Sequence, residues 1–521
     1  MKNKDKRQNP FLAKITTIPR RIARFVLSRY FITLVIIGAE LYLIEQMFFI
    51  ISENALVTTT VVFLFHAVGL IHLVNRNTNP EYKVTWLFVM MIPVAGVLLY
   101  FLFFERRLSK KETSLLLGIK DKLLTSSDRA FTENESDDGI IRALMADDPM
   151  AKMYRGTEPM FFSSGEAYFD SLIADIKTAK HFVYLEYFII EDGELWDKIH
   201  KELRTKAEGG VDVRVLYDDI GCMQTLPSYY EYILQKEGIS ACRFGRVTPK
   251  LSAIHNNRDH RKIAVIDGVI GYTGGVNIAD EYVNLKEKYG RWKDGGIRLF
   301  GDAAEGLERL FLSSWDYSVG KISDHVALKS DEKQVIGDGG IYIPFGSGPP
   351  PIYQQKVGKN LFLNIINQAK KSIFITTPYL IVDYELTEAL CKASRRGVKV
   401  KIITPGVADK KIIKIMTKSS YRYLMKSGVE IYEYSPGFIH EKTLISDEKY
   451  LVVGTINFDY RSLMHHFEDG VLIKKSSVIS VAKSEFEKTL TASDICNYEE
   501  AKLSLIEWLL RNAIKIFAPL L

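Results

Sequence analysis

The sequence predicts an α/β fold of two pseudo-twofold-related α/β/α units with mixed sheets, preceded by N-terminal transmembrane helices. Three observations carry this expectation. A short stretch occurs twice, as His260-Arg261-Lys262-Ile263-Ala264-Val265-Ile266-Asp267 and as His440-Glu441-Lys442-Thr443-Leu444-Ile445-Ser446-Asp447. A glycine and an asparagine follow each copy in the same register (Gly274 and Asn277; Gly454 and Asn457). Strand-like and helix-like segments recur in the same order around both copies, and long apolar runs precede them.

At 521 residues the chain is too long for one domain, so two or three units are expected. Charged residues make up 25% and apolar ones 47%, a globular balance. The net charge of +6 suits an anionic partner without singling out nucleic acid. The cysteines, Cys222, Cys242, Cys391 and Cys496, are scattered without zinc-type spacing and read as buried or incidental thiols.

Residues 1–30 form a basic arm in which Lys2, Lys4, Lys6, Arg7, Lys14, Arg20, Arg21, Arg24 and Arg29 are answered only by Asp5. The region 31–104 holds three apolar runs, 31–52, 55–74 and 84–104. Each is long enough to cross a hydrocarbon core, which needs about 20 residues. The first contains Glu40, Glu45 and Gln46, costly inside a bilayer, and suits an interfacial or re-entrant position. Basic residues flank both ends of the region, with Arg106, Arg107, Lys110 and Lys111 on the far side. Two crossings with a cytoplasmic catalytic part satisfy both ends. The polar, mixed-charge segment 105–150 reads as a connector, helical near 115–124.

The first repeat is placed at 151–330 and the second at 331–500. In the first, a helix ending at 180 leads to a β-rich run at 181–190, a helix at 194–207 and an alternating strand at 210–217. In the second, the order returns as a helix end at 365–371, a strand at 372–381, a helix at 385–396 and a strand at 397–404. Each repeated motif reads as one arm of a β-hairpin, turning at Asp267-Gly268 and at Ser446–Lys449. The C-terminal segment 501–521 carries Leu505, Trp508, Leu509 and Ile516 at helical spacing, an amphipathic helix that packs on the domain or lies on a membrane.

Residues two apart on a strand share a face. His260 therefore projects with Lys262, and His440 with Lys442, while Arg261 and Glu441 point away and are free to vary. If the halves pack about a twofold axis, two imidazoles and two ammonium groups converge. The ammonium groups repel unless an anion lies between them, and a phosphate fits. One neutral histidine can attack phosphorus while the other, protonated, gives its proton to the leaving oxygen. Lys262, Lys442, Asn277 and Asn457 can stabilise the charge that builds on the equatorial oxygens. Orienting carboxylates are expected at Asp294, 34 residues beyond His260, and Glu468, 28 beyond His440. Asp267 and Asp447 sit at turns and read as scaffolding. No metal or cofactor is required, and no carboxylate cluster suggests one.

Two His-x-Lys-x(4)-Asp copies, each followed by Gly and Asn, resemble the phospholipase D superfamily. Tyr184-Leu185-Glu186-Tyr187-Phe188, Val213-Arg214-Val215-Leu216-Tyr217-Asp218-Asp219-Ile220-Gly221 and Thr377-Pro378-Tyr379-Leu380 bring the resemblance closer. So do Gly454-Thr455-Ile456-Asn457-Phe458-Asp459-Tyr460-Arg461-Ser462 and the terminal Ala518-Pro519-Leu520-Leu521. These look like bacterial cardiolipin synthases of the phospholipase D type, over the chain from about residue 60 onward. The long basic arm and the first apolar run are less typical. The resemblance implies a catalytic set of His260, Lys262, Asp267, His440, Lys442 and Asp447, with His260 as nucleophile and His440 as general acid and base. It implies a multi-pass bacterial membrane protein that joins two phosphatidylglycerol molecules into cardiolipin and releases glycerol, without nucleic acid. Phosphatidylserine synthase or phospholipase D chemistry would use the same residues. A nuclease would show a denser basic face, and a lipid-binding scaffold would not need intact catalytic groups. The sequence sets no oligomeric state.

Overall fold

The computed structural model describes residues 59–76, 78–104, 108–125, 138–247, 257–323, 335–499 and 504–520, with isolated positions before 59. The basic arm and nearly all of the first apolar run lie outside the described residues. The chain divides into two compact units, residues 1–107 with 247–254, and residues 108–246 with 255–521.

In the first unit a helix covers residues 59–74, followed by helices Pro80–Met90 and Ala95–Phe103. Pro80 suits a first helical position, and the Asn79 side chain accepts the Glu81 N–H at 2.9 Å. The run 84–104, expected as one span, is broken. Pro93 disfavours helix at the residue before it, Val94 takes a positive φ of 58°, and a Cβ on Gly96 would lie 2.1 Å from the Val89 carbonyl. The chain therefore folds back at 91–94. Among the described residues, no helix is long and apolar enough to cross a membrane.

The second unit holds both repeats. In the first, strands β1 (Thr157–Phe162), β2 (Phe182–Tyr187), β3 (Asp212–Asp218), β4 (Ser240–Phe244), β5 (Lys262–Ile266), β6 (Ile270–Gly274), β7 (Arg291–Lys293) and β8 (Gly296–Gly301) occur in order. The second adds β9 (Ile341–Ser347), β10 (Ser372–Thr376), β11 (Leu380–Ile381), β12 (Lys399–Pro405), β13 (Glu430–Tyr434) and β14 (Gly437–Ile439). After these come β15 (Thr443–Ser446), β16 (Tyr450–Gly454), β17 (Phe458–Asp459), β18 (Glu468–Lys474) and β19 (Ser493–Ile495). One sheet runs β1-β8-β6-β5-β2-β3-β4 and the other β19-β13-β12-β10-β15-β16-β18-β9. In both, the strands joined through helices pair in parallel (β2-β3-β4; β10-β12-β13) and the hairpin strands pair antiparallel. These are the two mixed-sheet α/β units the repeat predicts, and the parallel pairs follow from the helical crossovers.

The segment read as a connector belongs to this body. Helices Lys110–Thr125 and Gly139–Asp147 bury Leu116, Ile119, Leu123, Ile140 and Leu144 in the shared core. Their apolar residues fall at helical spacing, which the polar residues between them mask in a reading by composition. Helix Ala304–Val319 lies against β9 as well as β5 and β6, and so joins the halves.

Both hairpins form at the expected turns, with positive φ at Asp267 and Gly268, and at Asp447 and Glu448. A side chain at positive φ costs on the order of 1–2 kcal/mol. The aspartates offset this locally. Asp267 accepts the N–H groups of Lys180, His181 and Phe182, each at 2.8 Å. Asp447 accepts those of Lys370, Lys371 and Ser372 at 2.7–2.9 Å.

Candidate active site

The halves meet through backbone pairing. Strand β7 of the first runs parallel to β14 of the second, and Asp259 bridges Phe467 in the same sense. The His440 N–H donates to Lys293 O at 2.7 Å, and the His260 N–H donates to Phe467 O at 2.8 Å. Each histidine is thus fastened to the residue just before a carboxylate of the opposite half.

That register decides the carboxylate partners. His260 Nδ1 lies 2.9 Å from Glu468 Oε2, and His440 Nδ1 lies 2.7 Å from Asp294 Oδ2. The pairing is crossed, whereas sequence order coupled Asp294 with His260 and Glu468 with His440. The reason is the interface: Asp294 directly follows β7, which pairs with β14 leading into His440, and Glu468 directly follows Phe467, which bridges Asp259 just before His260. A carboxylate accepts from the ring, so each Nδ1 carries the proton and Nε2 is the nitrogen with the free lone pair. Glu468 also accepts from Thr455 Oγ1 at 2.5 Å. The position matching Thr455 in the first half is Gly275, where a Cβ would sit 2.1 Å from Asp294 Oδ1. Glycine there admits the carboxylate.

Lys262 and Lys442 occupy equivalent places. Lys262 Nζ donates to His260 O at 2.7 Å; Lys442 Nζ donates to His440 O and lies 2.8 Å from His440 Nδ1. All four groups are buried. Burial, reinforced by the lysine charges, drives His260 well below its usual range and His440 down to about 4. Burial also lowers Lys262 to about 8 and Lys442 to about 7. Burial works to raise Asp294, yet the adjacent His440 and Lys442 hold it below the usual carboxylate range. Two ammonium groups sharing a buried site favour an anion between them. Such an anion would cancel the repulsion and raise both imidazoles toward the protonation an acid needs.

Other expected site residues land differently. Asp267 and Asp447, counted in the catalytic set by resemblance, spend their carboxylates on backbone N–H groups at the hairpin turns, away from the histidines. Asn277 is committed to structure: Oδ1 accepts from Ile189 N at 3.1 Å and Nδ2 donates to Tyr282 OH at 2.7 Å. Asn457 is buried, and among the described residues nothing donates to its Oδ1. Arg261 and Glu441 point away from the lysines but are not free to vary. Arg261, 1% exposed, reaches Ser314 Oγ and Tyr353 OH, each at 2.9 Å, and Glu468 O at 3.3 Å. Glu441 is buried and accepts from Thr443 Oγ1 at 3.0 Å.

Two residues went unnoticed in the sequence. His466 and Trp292 are buried; His466 Nδ1 lies 3.6 Å from Glu468 Oε1, and among the described residues the Trp292 indole nitrogen has no hydrogen-bond partner. Their rings each lie 5.6 Å from a histidine ring, His466 beside His260 and Trp292 beside His440. The available signal was spacing: each stands two positions before an orienting carboxylate. His260, His466 and Glu468 bring potential metal-ligand atoms within 4.8 Å of one another. The neighbouring ammonium groups favour an anion over a cation there. Glu186 is fully buried beside Asp259 and Ser314. Burial raises it well above the usual carboxyl range, helped by Asp259.

A family model described as cardiolipin synthase, PLD-like domain, matches residues 172–294 and 362–490. A second, phospholipase D-nuclease N-terminal, matches residues 62–103. An uncharacterized protein of Streptococcus mutans is 35% identical over 471 residues, covering 87% of this chain and 99% of its own. A cardiolipin synthase of Alkalihalophilus pseudofirmus is 32% identical over 488 residues, covering 89% and 94%. A cardiolipin synthase of Staphylococcus aureus is 30% identical, covering 91% and 97%. Among solved structures, phosphatidylserine synthase of Haemophilus influenzae matches in fold with a TM-score of 0.56 at 15% identity, covering 78% of this chain and 100% of that one.

Proposed function

The chain belongs to the cardiolipin synthases of the phospholipase D type, and from that membership we propose that it joins two phosphatidylglycerol molecules into cardiolipin with release of glycerol. The observation that carries this reading is the crossed pair of histidines. Each is held through Nδ1 by a carboxylate of the other half, with Lys262 and Lys442 beside them.

In the proposed cycle, His260 Nε2 attacks phosphorus of the first phosphatidylglycerol. The P–O bond to the headgroup glycerol breaks, and protonated His440 gives its proton to the departing oxygen. A headgroup hydroxyl of the second phosphatidylglycerol then loses its proton to His440 and attacks phosphorus. The P–N bond breaks, cardiolipin forms, and His260 returns neutral. Glu468 and Asp294 keep the two imidazoles in the required tautomer. The lysines stabilise the equatorial oxygens in both transition states.

The substrate lies in a bilayer, which fits the apolar region 31–104 as the membrane-associated part, entering and leaving on one side so that the basic segments and the catalytic body are both cytoplasmic; the fold-back at 91–94 replaces the second of the two crossings expected from the sequence. Membranes containing the protein are expected to convert phosphatidylglycerol to cardiolipin and glycerol without added nucleotide or metal. Formation of phosphatidic acid alone would replace this reading with a hydrolase.

A further inference from the structure

The C-terminal helix Leu505–Lys515 presents an apolar surface that remains largely exposed among the described residues of its own unit. Leu505 is 72% exposed, Ile506 78%, Trp508 47%, Leu509 55% and Leu510 43%. Glu507, Arg511 and Lys515 stand four residues apart on one line, with Asn512 beside Arg511, and apolar residues occupy most of the remaining circumference. The helix begins with a capping box, Ser504 Oγ accepting the Glu507 N–H at 3.2 Å and Glu507 Oε2 accepting the Ser504 N–H at 3.0 Å. Its shape is therefore set locally.

The far end is anchored. Ile514 and Ala518 pack with Ile381, Met416 and Tyr460, and His465 Nε2 contacts Pro519 O at 3.0 Å. His465 adjoins His466, whose ring flanks His260. The anchor thus ties the exposed helix to a segment that lines the candidate site.

The helix packs beside Lys411–Lys426. From Lys410 to Lys426 that segment carries Lys410, Lys411, Lys414, Lys418, Arg422 and Lys426 and no acidic residue. Lys414 and Lys418 are drawn to Glu433, while Lys410, Lys411 and Lys426 are exposed. Ile412, on the same helix, is 49% exposed. A broad apolar face bordered by outward cations matches a surface that is negative at the headgroups and apolar beneath.

We propose that Leu505–Lys515, with the basic helix beside it, docks on the surface of an anionic phospholipid bilayer and holds the histidine site against the lipid plane. The choice of lipid rests on the function proposed above; the docking itself rests on the exposed helix and its charges.

The test uses full-length protein reconstituted in vesicles of phosphatidylglycerol and phosphatidylcholine that carry a photoactivatable phosphatidylglycerol. Crosslinks mapped by mass spectrometry are expected within 505–510, weaker in vesicles of phosphatidylcholine alone. The double variant Leu505→Glu/Leu509→Glu is expected to raise the apparent KM for vesicle phosphatidylglycerol about tenfold, as loss of interfacial burial does. Its kcat, and its activity on a monodisperse short-chain phosphatidylglycerol, should stay near wild type. Loss of the short-chain activity would signal misfolding, and the single variant Ile506→Ser then carries the comparison. Absence of lipid label in 505–510 overturns the proposal, as does protection of this helix by a second copy or by the chain's own N-terminal region. His440→Ala should label as wild type does. Label with only phosphatidic acid as product would remove the cardiolipin reading and leave the docking intact.

Discussion

The crossed carboxylates can be tested one half-reaction at a time. Glu468→Gln and Asp294→Asn each replace a buried carboxyl group, 0% exposed, that holds a histidine Nδ1 at 2.9 and 2.7 Å. A hydrogen bond to a charged group contributes about 1.5–3 kcal/mol, or roughly 10- to 150-fold in rate. Loss of the correct tautomer adds to this and has cost about 10⁴-fold in a serine-protease triad. Each variant is thus expected to lose about 10²- to 10⁴-fold, by nearly equal amounts because the geometries match. The assay uses phosphatidyl-p-nitrophenol, whose leaving group needs no proton. A burst of nitrophenolate then reports the nucleophile alone, and slow turnover after the burst reports the acid–base histidine. Glu468→Gln should share the defect of His260→Ala, and Asp294→Asn that of His440→Ala. The comparison does not depend on which histidine is the nucleophile. If Glu468→Gln instead tracks His440→Ala, or Asp294→Asn tracks His260→Ala, the crossed assignment is wrong.

Burial lowers Lys442 to about 7 and Lys262 to about 8, so each loses its proton as pH rises through those values. The kcat/KM of the free enzyme should therefore fall on an alkaline limb at pH 7–8, and a profile flat to pH 9.5 would refute the buried-ammonium account. Gly275→Ala would set a Cβ 2.1 Å from Asp294 Oδ1; its burst kinetics should copy Asp294→Asn while the thermal midpoint drops only modestly, and near-wild-type turnover would disprove the steric argument. Asp267→Ala and Asp447→Ala each strip the acceptor from three backbone N–H groups. About 2–4 kcal/mol of stability should go, discounted for partial exposure, with the nitrophenolate burst retained below the melting transition. A folded variant without the burst would put these aspartates into the chemistry. Asp218→Ala removes the partner of Arg258 from an ion pair 0% and 4% exposed, and a loss of about 3–5 kcal/mol is expected in thermal or denaturant melts.

The sequence by itself determined the repeated unit, because strand alternation, Asp-Gly turn chemistry and helix periodicity are local properties written within a dozen residues. It determined for the same reason that His260 and Lys262, and His440 and Lys442, share a face. The tertiary structure alone decided what meets across the halves. The parallel pairing of β7 with β14 and the bridge at Asp259 and Phe467 give each histidine a carboxylate 146 or 208 residues distant, a distance that no periodicity encodes. The same packing buries Arg261, which a strand pattern places on an outward face, and sets His466 and Trp292 beside the histidines. The break in the run 84–104 was half legible: Pro93 and Gly96 are in the sequence, but the backbone at 91–94 had to fold back before a long apolar run became two short helices. Hydropathy measures a segment's length in apolar residues, whereas its path depends on where the backbone can continue hydrogen bonding.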